Sequence, residues 1–527
     1  MPEHATTPMK LYNTLTKRVE PVVVGDASRV TFYTCGPTVY DDAHIGNFRS
    51  FLAADLLRRW LESPLCALTD ESGGVLSGPR EVVHVMNITD VGHMTDDDVA
   101  DGSGEDKMQV AGRRLAEAKK SGKLPEGVDI DPNDPRAIAS FYAERFVEDA
   151  RALGLKVAID AERDPSRMPR ATANIRGMVE MIEALARKGF AYRAGDAVYF
   201  DVQKYARYGE LSGNTLDKLR GGAGGRVSEE NQADKRHPAD FLLWKADPAH
   251  LMRWPGPVIE GQSVGEGYPG WHIECSVMAR AALGDVIDLH SGGEDNIFPH
   301  HECERAQSCC FTGRDTFARH WFHPRFLMVE GAKMSKSKGT FYTARDLFAQ
   351  GHEPAAVRLE LIKTHYRSNA DFSEQGLKDS ARQIERWRRF VERGESGGEG
   401  DAHAGAQAVF AFAEAMNDDL NISGAIGAMN AWMNSVESPT KRDAAVARAF
   451  DAVLGVLSLD RIEAKATEIG VYQGVDPSPE VEALLSERAE ARKNKDYARS
   501  DAIRDQLAGM GLAIKDVAGG KVEVSRA

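Results

Sequence analysis

One turn, between residues 35 and 47, constrains this chain more than any other feature. Cys35-Gly36-Pro37-Thr38-Val39-Tyr40-Asp41-Asp42-Ala43-His44-Ile45-Gly46-Asn47 follows a short alternating apolar run (Val30, Phe32, Tyr33). It precedes Phe51, Leu52, Ala53, Leu56, Leu57 and Trp60, which recur at helical spacing. The pattern predicts a strand, a Gly/Pro turn and a helix start. A His-x-Gly turn at such a place can present an imidazole and backbone N–H groups to a phosphate, because a helix N-terminus favours negative charge. The same turn offers a thiol, Cys35, at the strand end. A small core cysteine and an ordinary polar histidine are the alternative reading, and this stretch alone leaves both open.

Composition narrows the class. At 527 residues, with 42% hydrophobic and 28% charged, the chain needs more than one core and is expected to form about three or four domains. No apolar run approaches membrane-spanning length, and residues 1–10 lack the apolar segment of a secretory signal, so a cytoplasmic protein with no membrane partner is expected. Six cysteines without a regular framework point to reduced thiols or metal ligands rather than structural disulfides. A net charge of -14 argues against a bulk electrostatic grip on nucleic acid and leaves only local basic faces for one.

The segment from Glu62 to Arg80, rich in Gly, Ser and Pro, reads as a surface loop. Val82 to Ile88 reads as a second strand ending in Asn87-Ile88-Thr89-Asp90. Polar residues at a strand's carboxyl end are where open α/β sheets place ligands, although a capping Thr-Asp pair accounts for them equally. Asp96, Asp97, Asp98, Asp101, Glu105 and Asp106 read mainly as a solvated face, with cation binding as the alternative. Amphipathic helices are expected from Asp134-Pro135 to Leu153 and from Ala171 to Lys188, and Gly221 to Gly225 reads as a loop. Residues of about 155 to 245 look inserted between two halves of a nucleotide-binding α/β sheet.

Chemistry returns at Gly265 to Cys275, where turn residues place Trp271, His272 and Cys275 at a helix start. A strand, Asp285 to His290, leads to Ser291-Gly292-Gly293-Glu294-Asp295. After Pro299, the run His300-His301-Glu302-Cys303-Glu304 opens another helix, since proline suits the first helical turn. Residues i and i+4 share a helix face, so His300 and Glu304 can point at one ion. Cys35, Cys275, His300 and Glu304 would supply two thiolates, an imidazole and a carboxylate, all acceptable to zinc. The competing reading makes Cys275 core and the His/Glu pair part of a surface helix. Cys303, Cys309 and Cys310 are rival thiols, but they lie close together on one helix.

The deciding stretch is Gly331-Ala332-Lys333-Met334-Ser335-Lys336-Ser337-Lys338-Gly339, a Gly-bounded cationic arm suited to a pyrophosphate leaving group. Read with His44-Ile45-Gly46 far upstream, it resembles class I aminoacyl-tRNA synthetases. The finer resemblance is to the cysteinyl-tRNA synthetase family. It rests on Cys35-Gly36, Thr38 to Asp41, Asn87 to Asp90, Gly270 to Cys275, Phe298 to Glu302, His365-Tyr366-Arg367-Ser368, Met416-Asn417-Asp418-Asp419 and Arg492 to Arg504. These strings span nearly the whole chain.

The resemblance implies a Rossmann-like parallel-sheet catalytic domain in two halves, 1–154 and 246–325, split by a connective insertion at 155–245. A lysine-loop and stem-contact region at 326–370, a helical anticodon-binding domain at 371–470 and a small C-terminal domain at 471–527 would follow. It implies ATP-dependent attachment of L-cysteine to its tRNA through cysteinyl-adenylate; a monomer is expected over a homodimer, a choice that the sequence does not settle. His44, Lys333 and Lys336 would be catalytic; Ile45, Gly46, Asn47, Gly292, Gly293 and Asp295 would border ATP; and Thr89 and Trp271 would border the amino acid. One zinc ion per subunit would fall on Cys35, Cys275, His300 and Glu304, with Mg2+ accompanying ATP on ligands that the sequence does not identify. Three features depart from the family. Asn47 stands where a second histidine is common, the tail Gly519 to Glu523 lacks an aromatic residue that many members carry near the end, and the Glu62 to Arg80 segment is long. Basic helices at Arg382 to Arg393, and at Arg488, Arg492, Lys493, Lys495 and Arg499, are solvated faces or tRNA contacts.

Overall fold

The computed structural model describes residues 7–96, 103–121, 130–216, 235–334, 340–459, 465–467, 469–473, 475, 477–517 and 521–526. Asp97, Asp98 and Asp101 of the acidic cluster, Gly221 to Gly225, and Ser335 to Gly339 with Lys336 lie outside the described residues.

Four parallel strands build the central sheet: β1 (Arg29–Thr34), β2 (Glu81–Met86), β3 (Ile287–Ser291) and β4 (Ala318–Phe322), in the order β4-β3-β1-β2. The strands are buried on both faces because helices cover both, as in parallel sheets generally. Helix α1 (Ile45–Glu62) connects β1 to β2, α2 (Trp271–Leu283) precedes β3, and α3 (His300–Thr312) connects β3 to β4. From β1 the chain runs outward to one edge, and from β3 to the other. The crevice beyond the carboxyl ends of β1 and β3 is therefore the sheet's topological switch point, the place where open α/β folds bind ligands.

Between β2 and β3 lies a four-stranded antiparallel sheet of Ala191–Ala194, Ala197–Phe200, Phe241–Ala246 and Gly267–Pro269. It continues past residue 245, since Trp244 pairs with Pro269 and Ala246 with Gly267. After β4 come the helices Pro354–Ile362 and Glu374–Glu395, and then Ala406–Asn417, Ile422–Ser435 and Lys441–Leu454. The C-terminal unit packs Pro479–Lys493 and Tyr497–Gly509 on strands that include Leu512–Asp516 and Val522–Arg526, around its own apolar core. Among the described residues no helix is long and apolar enough to cross a membrane.

The segment read as a plain surface loop is partly a hairpin. Ala67–Asp70 pairs with Val75–Ser77, and Ala67 and Leu68 are buried. Asp70 closes its turn by accepting from the N–H groups of Ser72 (2.9 Å) and Gly74 (2.8 Å), and Gly73 takes the left-handed conformation that the turn needs.

A buried ion pair locks α1 to three other segments. Asp55 Oδ2 accepts from Arg59 Nε at 2.7 Å and from Arg358 Nη2 at 2.6 Å, while its Oδ1 accepts from the N–H of Lys156 at 2.7 Å. Fully buried Arg358 also donates to the carbonyls of Leu454 (2.7 Å) and Leu153 (3.0 Å). Burial alone would raise the Asp55 carboxyl, but Arg59 and Arg358 outweigh it and hold it well below the usual carboxylate range. A depressed native pKa stabilises the fold above the unfolded value near about 4, and that contribution disappears as pH falls through the native value. We expect Asp55→Ala, which leaves Arg358 buried without a counter-charge, to cost about 3–5 kcal/mol in urea unfolding. Asp55→Ala combined with Arg358→Met should recover much of that loss.

Candidate functional site

The site forms where β1 and β3 end side by side. The N–H of Cys35 donates to the carbonyl of Ser291, the last residue of β3, at 2.9 Å, carrying the parallel ladder one residue past β1. Thr34 Oγ1 lies 2.8 Å from both Ser291 Oγ and His84 Nε2, which fixes the two strand ends laterally. Cys35 thus leaves the sheet edge facing α2 and α3, and these supply the remaining donors.

Cys275 comes from the second turn of α2, and His300 and Glu304 from one face of α3. One donor atom from each of Cys35, Cys275, His300 and Glu304 lies within 4.8 Å of all the others. Cys35 Sγ is 3.3 Å from Glu304 Oε1, and His300 Nε2 is 3.1 Å from the same oxygen. All four residues are buried, so α3 is not the surface helix of the alternative reading. Cys303 instead faces the Tyr208 hydroxyl at 3.5 Å, and neither it nor Cys309 nor Cys310 joins a metal-ligand group among the described residues.

These donors shift one another strongly. Burial raises the Glu304 carboxyl, yet the imidazoles of His290 and His300 overcome it and bring it down to about 2. Burial opposes charge on His300, but Glu304 and Cys275 pull the imidazole up to about 10. Burial also pushes the Cys35 thiol far up, with Cys275 and Glu304 adding to the effect. His300 Nε2 finds no hydrogen bond of acceptable geometry although it is sealed from water. An orphaned nitrogen beside two thiols and a carboxylate, all buried, is a donor set that fits a borderline-soft cation such as Zn2+.

Trp271 opens α2 and stacks on His300 with ring centroids 4.2 Å apart. Thr89 is buried, and its hydroxyl donates to Glu274 Oε2 at 2.9 Å while accepting from Asn87 Nδ2 at 3.1 Å. Glu274 Oε1 lies 2.6 Å from His93 Nε2, and burial pushes the Glu274 carboxyl up to about 8. Asn87 Oδ1 accepts from the Gly36 N–H at 2.8 Å and lies 3.6 Å from Cys275 Sγ. Asn87 belongs to the strand-end string Asn87 to Asp90 read above as a place for ligands, whereas Glu274 and His93 escaped sequence reasoning as site residues because their partners come from distant segments. The one available signal was a carboxylate inside the Trp271 to Cys275 string.

At the other end of the crevice, His44 is the N-cap of α1. Its Nδ1 accepts from the Asn47 N–H at 3.2 Å, while Asn47 Oδ1 accepts from the His44 N–H at 3.1 Å. This reciprocal box places the proton of a neutral His44 on Nε2. It also gives the unusual Asn47 an intramolecular partner in place of a second imidazole. The segments flanking the lysine loop reach the same turn. Ile45 N–H donates to the Tyr342 carbonyl at 2.9 Å, the ring of Phe341 meets His44 edge-on at 5.4 Å, and a Cβ on Gly46 would sit 2.5 Å from Met334 Cε. Lys333 lies on the short strand Ala332–Lys333, paired with Met328. Gly292 and Gly293 follow β3 opposite α1, with Ser50 Oγ 3.5 Å from where a Gly293 Cβ would be. The corresponding space at Gly292 is filled by Asn296 and His301, and Asp295 is exposed.

This parallel sheet, with its capped His-Ile-Gly turn at the switch point, defines a nucleotide-binding catalytic domain of the class I aminoacyl-tRNA synthetase type. Residues 21–382 match the family described as "tRNA synthetases class I (C) catalytic domain", and residues 475–523 match "Cysteinyl-tRNA ligase anticodon binding domain". A "Cysteine--tRNA ligase" of Salinibacter ruber is 40% identical over 543 residues, covering 97% of each chain. One of Chlorobaculum tepidum is 38% identical, covering 96% of this chain and 97% of that one, and one of Thermus thermophilus is 37% identical with the same coverage. The chain belongs to the cysteinyl-tRNA synthetase family.

The cap at Asn47 is directly testable. Asn47→Ala keeps the backbone bond to His44 Nδ1 but loses the acceptor for His44 N–H, and should cost about 0.5–2 kcal/mol in thermal or urea unfolding. Asn47→Asp restores the acceptor and should recover the stability. If the side chain also borders ATP, the aspartate should slow pyrophosphate exchange in spite of that recovery.

Proposed function

We propose that this chain attaches L-cysteine to its tRNA in two steps at the β1/β3 crevice. In the first, the cysteine carboxylate attacks the α-phosphate of ATP, giving cysteinyl-adenylate and pyrophosphate. In the second, the terminal ribose hydroxyl of the tRNA attacks the activated carbonyl and releases AMP. The protein's part is positioning and charge stabilisation rather than covalent catalysis. His44, with its proton on Nε2, and the Gly46 N–H contact the phosphates at the α1 N-terminus, bordered by Ile45, whose own N–H is held by the Tyr342 carbonyl. Lys333 and Lys336 hold the departing pyrophosphate, while Gly292, Gly293 and Asp295 border the adenosine. Trp271, and Thr89 through its bond to Glu274, flank the amino acid, and Mg2+ accompanies the nucleotide.

The observation that carries the choice of cysteine is the buried set of Cys35, Cys275, His300 and Glu304. Shape alone separates near-isosteres such as cysteine and serine by only about 100-fold. A Zn2+ ion held by these residues would supply a soft partner for the substrate thiolate that an alcohol cannot match. Aminoacylation of tRNA with cysteine and serine side by side, with metal content measured on the same sample, tests this reading. Chelation should abolish cysteine activation and Zn2+ should restore it. Full discrimination without bound metal would overturn the zinc assignment.

For the tRNA, the reading rests on the domain at 475–523 and on one residue that sequence reasoning passed over. Tyr497, the first residue of its helix, is 63% exposed, the highest value among the large hydrophobic side chains of the described residues. It follows exposed Lys493 and Lys495 at a turn where Lys495 takes a positive φ of 61°. An exposed ring beside cations is a stacking platform for an unpaired base, worth about 1–3 kcal/mol per base. Tyr497→Ala should therefore raise the KM for tRNA by about 5- to 150-fold. Tyr497→Trp should restore it, and pyrophosphate exchange without tRNA should not change.

A further inference from the structure

Beside the first metal-ligand set lies a second. Cys35, His290, His301 and Glu304 each offer a donor atom, and these atoms also lie within 4.8 Å of one another. The two sets share Cys35 and Glu304, and the Glu304 carboxylate divides between them. Its Oε1 is 3.1 Å from His300 Nε2, and its Oε2 is 3.0 Å from His290 Nε2. Cys35 Sγ is 3.3 Å from His301 Nε2. The His301 ring is aimed from behind, with its Nδ1 2.7 Å from His323 Nε2 and His323 Nδ1 2.7 Å from Thr14 Oγ1. Outer partners of this kind set the orientation and tautomer of metal-binding imidazoles. Each set also has its own aromatic wall. Trp271 stacks on His300 at 4.2 Å, and Trp321 stacks on His290 at 4.8 Å.

We propose that Cys35, His290, His301 and Glu304 form a second seat for the divalent cation of the first set, so that one ion occupies either seat. Both seats draw on Cys35 Sγ and the Glu304 carboxylate, and the proposal assigns these shared donors to one ion at a time. The donors are thiolate, two imidazoles and carboxylate, a set suited to Zn2+ or Co2+. The first seat adjoins Trp271 and the amino-acid side of the crevice. The second adjoins Trp321 rather than Trp271, so an ion there is removed from the substrate thiolate. The chain can then retain its metal while cysteine activation is switched off, and the loss of Cys275 or His300 as a donor moves the ion rather than releasing it.

The proposal rests on the reading that the first set holds a cation, and cobalt substitution separates the two. The native chain should bind one Co2+ with charge-transfer absorption from two thiolates. Cys275→Ala/His300→Ala should still bind one Co2+, with half that absorption and no cysteine-dependent exchange, and adding His301→Gln should abolish binding. His301→Gln alone should keep one ion and the full absorption. In the milder Cys275→Ser, zinc X-ray absorption should count two imidazoles and one sulfur. A single imidazole would mean that the ion stayed in the first seat and would overturn the proposal. One ion in the native chain but none in a double variant with native circular dichroism would overturn the second seat alone, and two ions in the native chain would overturn the either-seat assignment. No ion in the native chain would overturn both readings.

Discussion

The candidate site depends on the parallel pairing of β1 with β3, strands some 250 residues apart in sequence. Leu289, His290 and Ser291 run in register with Phe32, Tyr33 and Thr34, and the next backbone bond, from Cys35 N–H to the Ser291 carbonyl, sets where the first thiol leaves the sheet. Because α3 follows β3 after a short turn, the same register fixes His300 and Glu304 relative to that thiol. Slipping one strand by a residue would turn its side chains to the opposite face and separate Cys35 from α3. The metal-ligand geometry is therefore a by-product of sheet register, and the long insertion between β2 and β3 is tolerated because it leaves that register alone.

The chemistry at this junction is uncomfortable without a cation. Two thiols, an imidazole and a carboxylate share a volume sealed from water, and each charged form there incurs a desolvation penalty. The opposing shifts of Glu304, to about 2, and His300, to about 10, show the pair charging mutually to offset burial. Cys35, pushed up by burial, stays a thiol beside them. A divalent ion would relieve this set by stabilising thiolate and carboxylate together while needing only neutral imidazole.

Much of this was legible in the chain. The strand-turn-helix at Cys35 to Asn47, the i and i+4 relation of His300 and Glu304, and the paired signatures pointed to the fold and to the four residues that the structure gathers as the first candidate ligand set, because each is a local pattern with one physical cause. What stayed hidden is non-local. Glu274 and His93 meet across 181 residues, and His301 is aimed by His323 and Thr14 from two other segments. His290 sits in an apolar strand where a polar residue gives no hint of its partner. The hairpin at 67–77 was missed because its Gly, Ser and Asp residues close a turn between two short strands, and turn composition dominates so brief an element.

Helix α1 joins the chemical and mechanical halves of the molecule. Its N-cap, His44, stands at the crevice, Asp55 is clamped by Arg358 in the middle, and Trp60 near its C-terminus donates to Asn417 Oδ1 at 3.1 Å in the helical bundle. Arg49, two residues after Asn47, donates to the carbonyls of Arg325, Leu361, His365 and Ser368, at distances from 2.7 to 3.3 Å, with no carboxylate among them. An 18-residue helix spans about 27 Å, and this one is held at both ends and at its centre. Just beyond Asn417, Asp419 and Leu420 both adopt positive φ, and Asp419 accepts from the N–H of Tyr12 at 2.8 Å and from the Tyr366 hydroxyl at 2.5 Å. Non-glycine residues in that conformation carry strain that the surroundings must impose. The bundle is thus seated at a strained joint next to the end of α1 opposite His44.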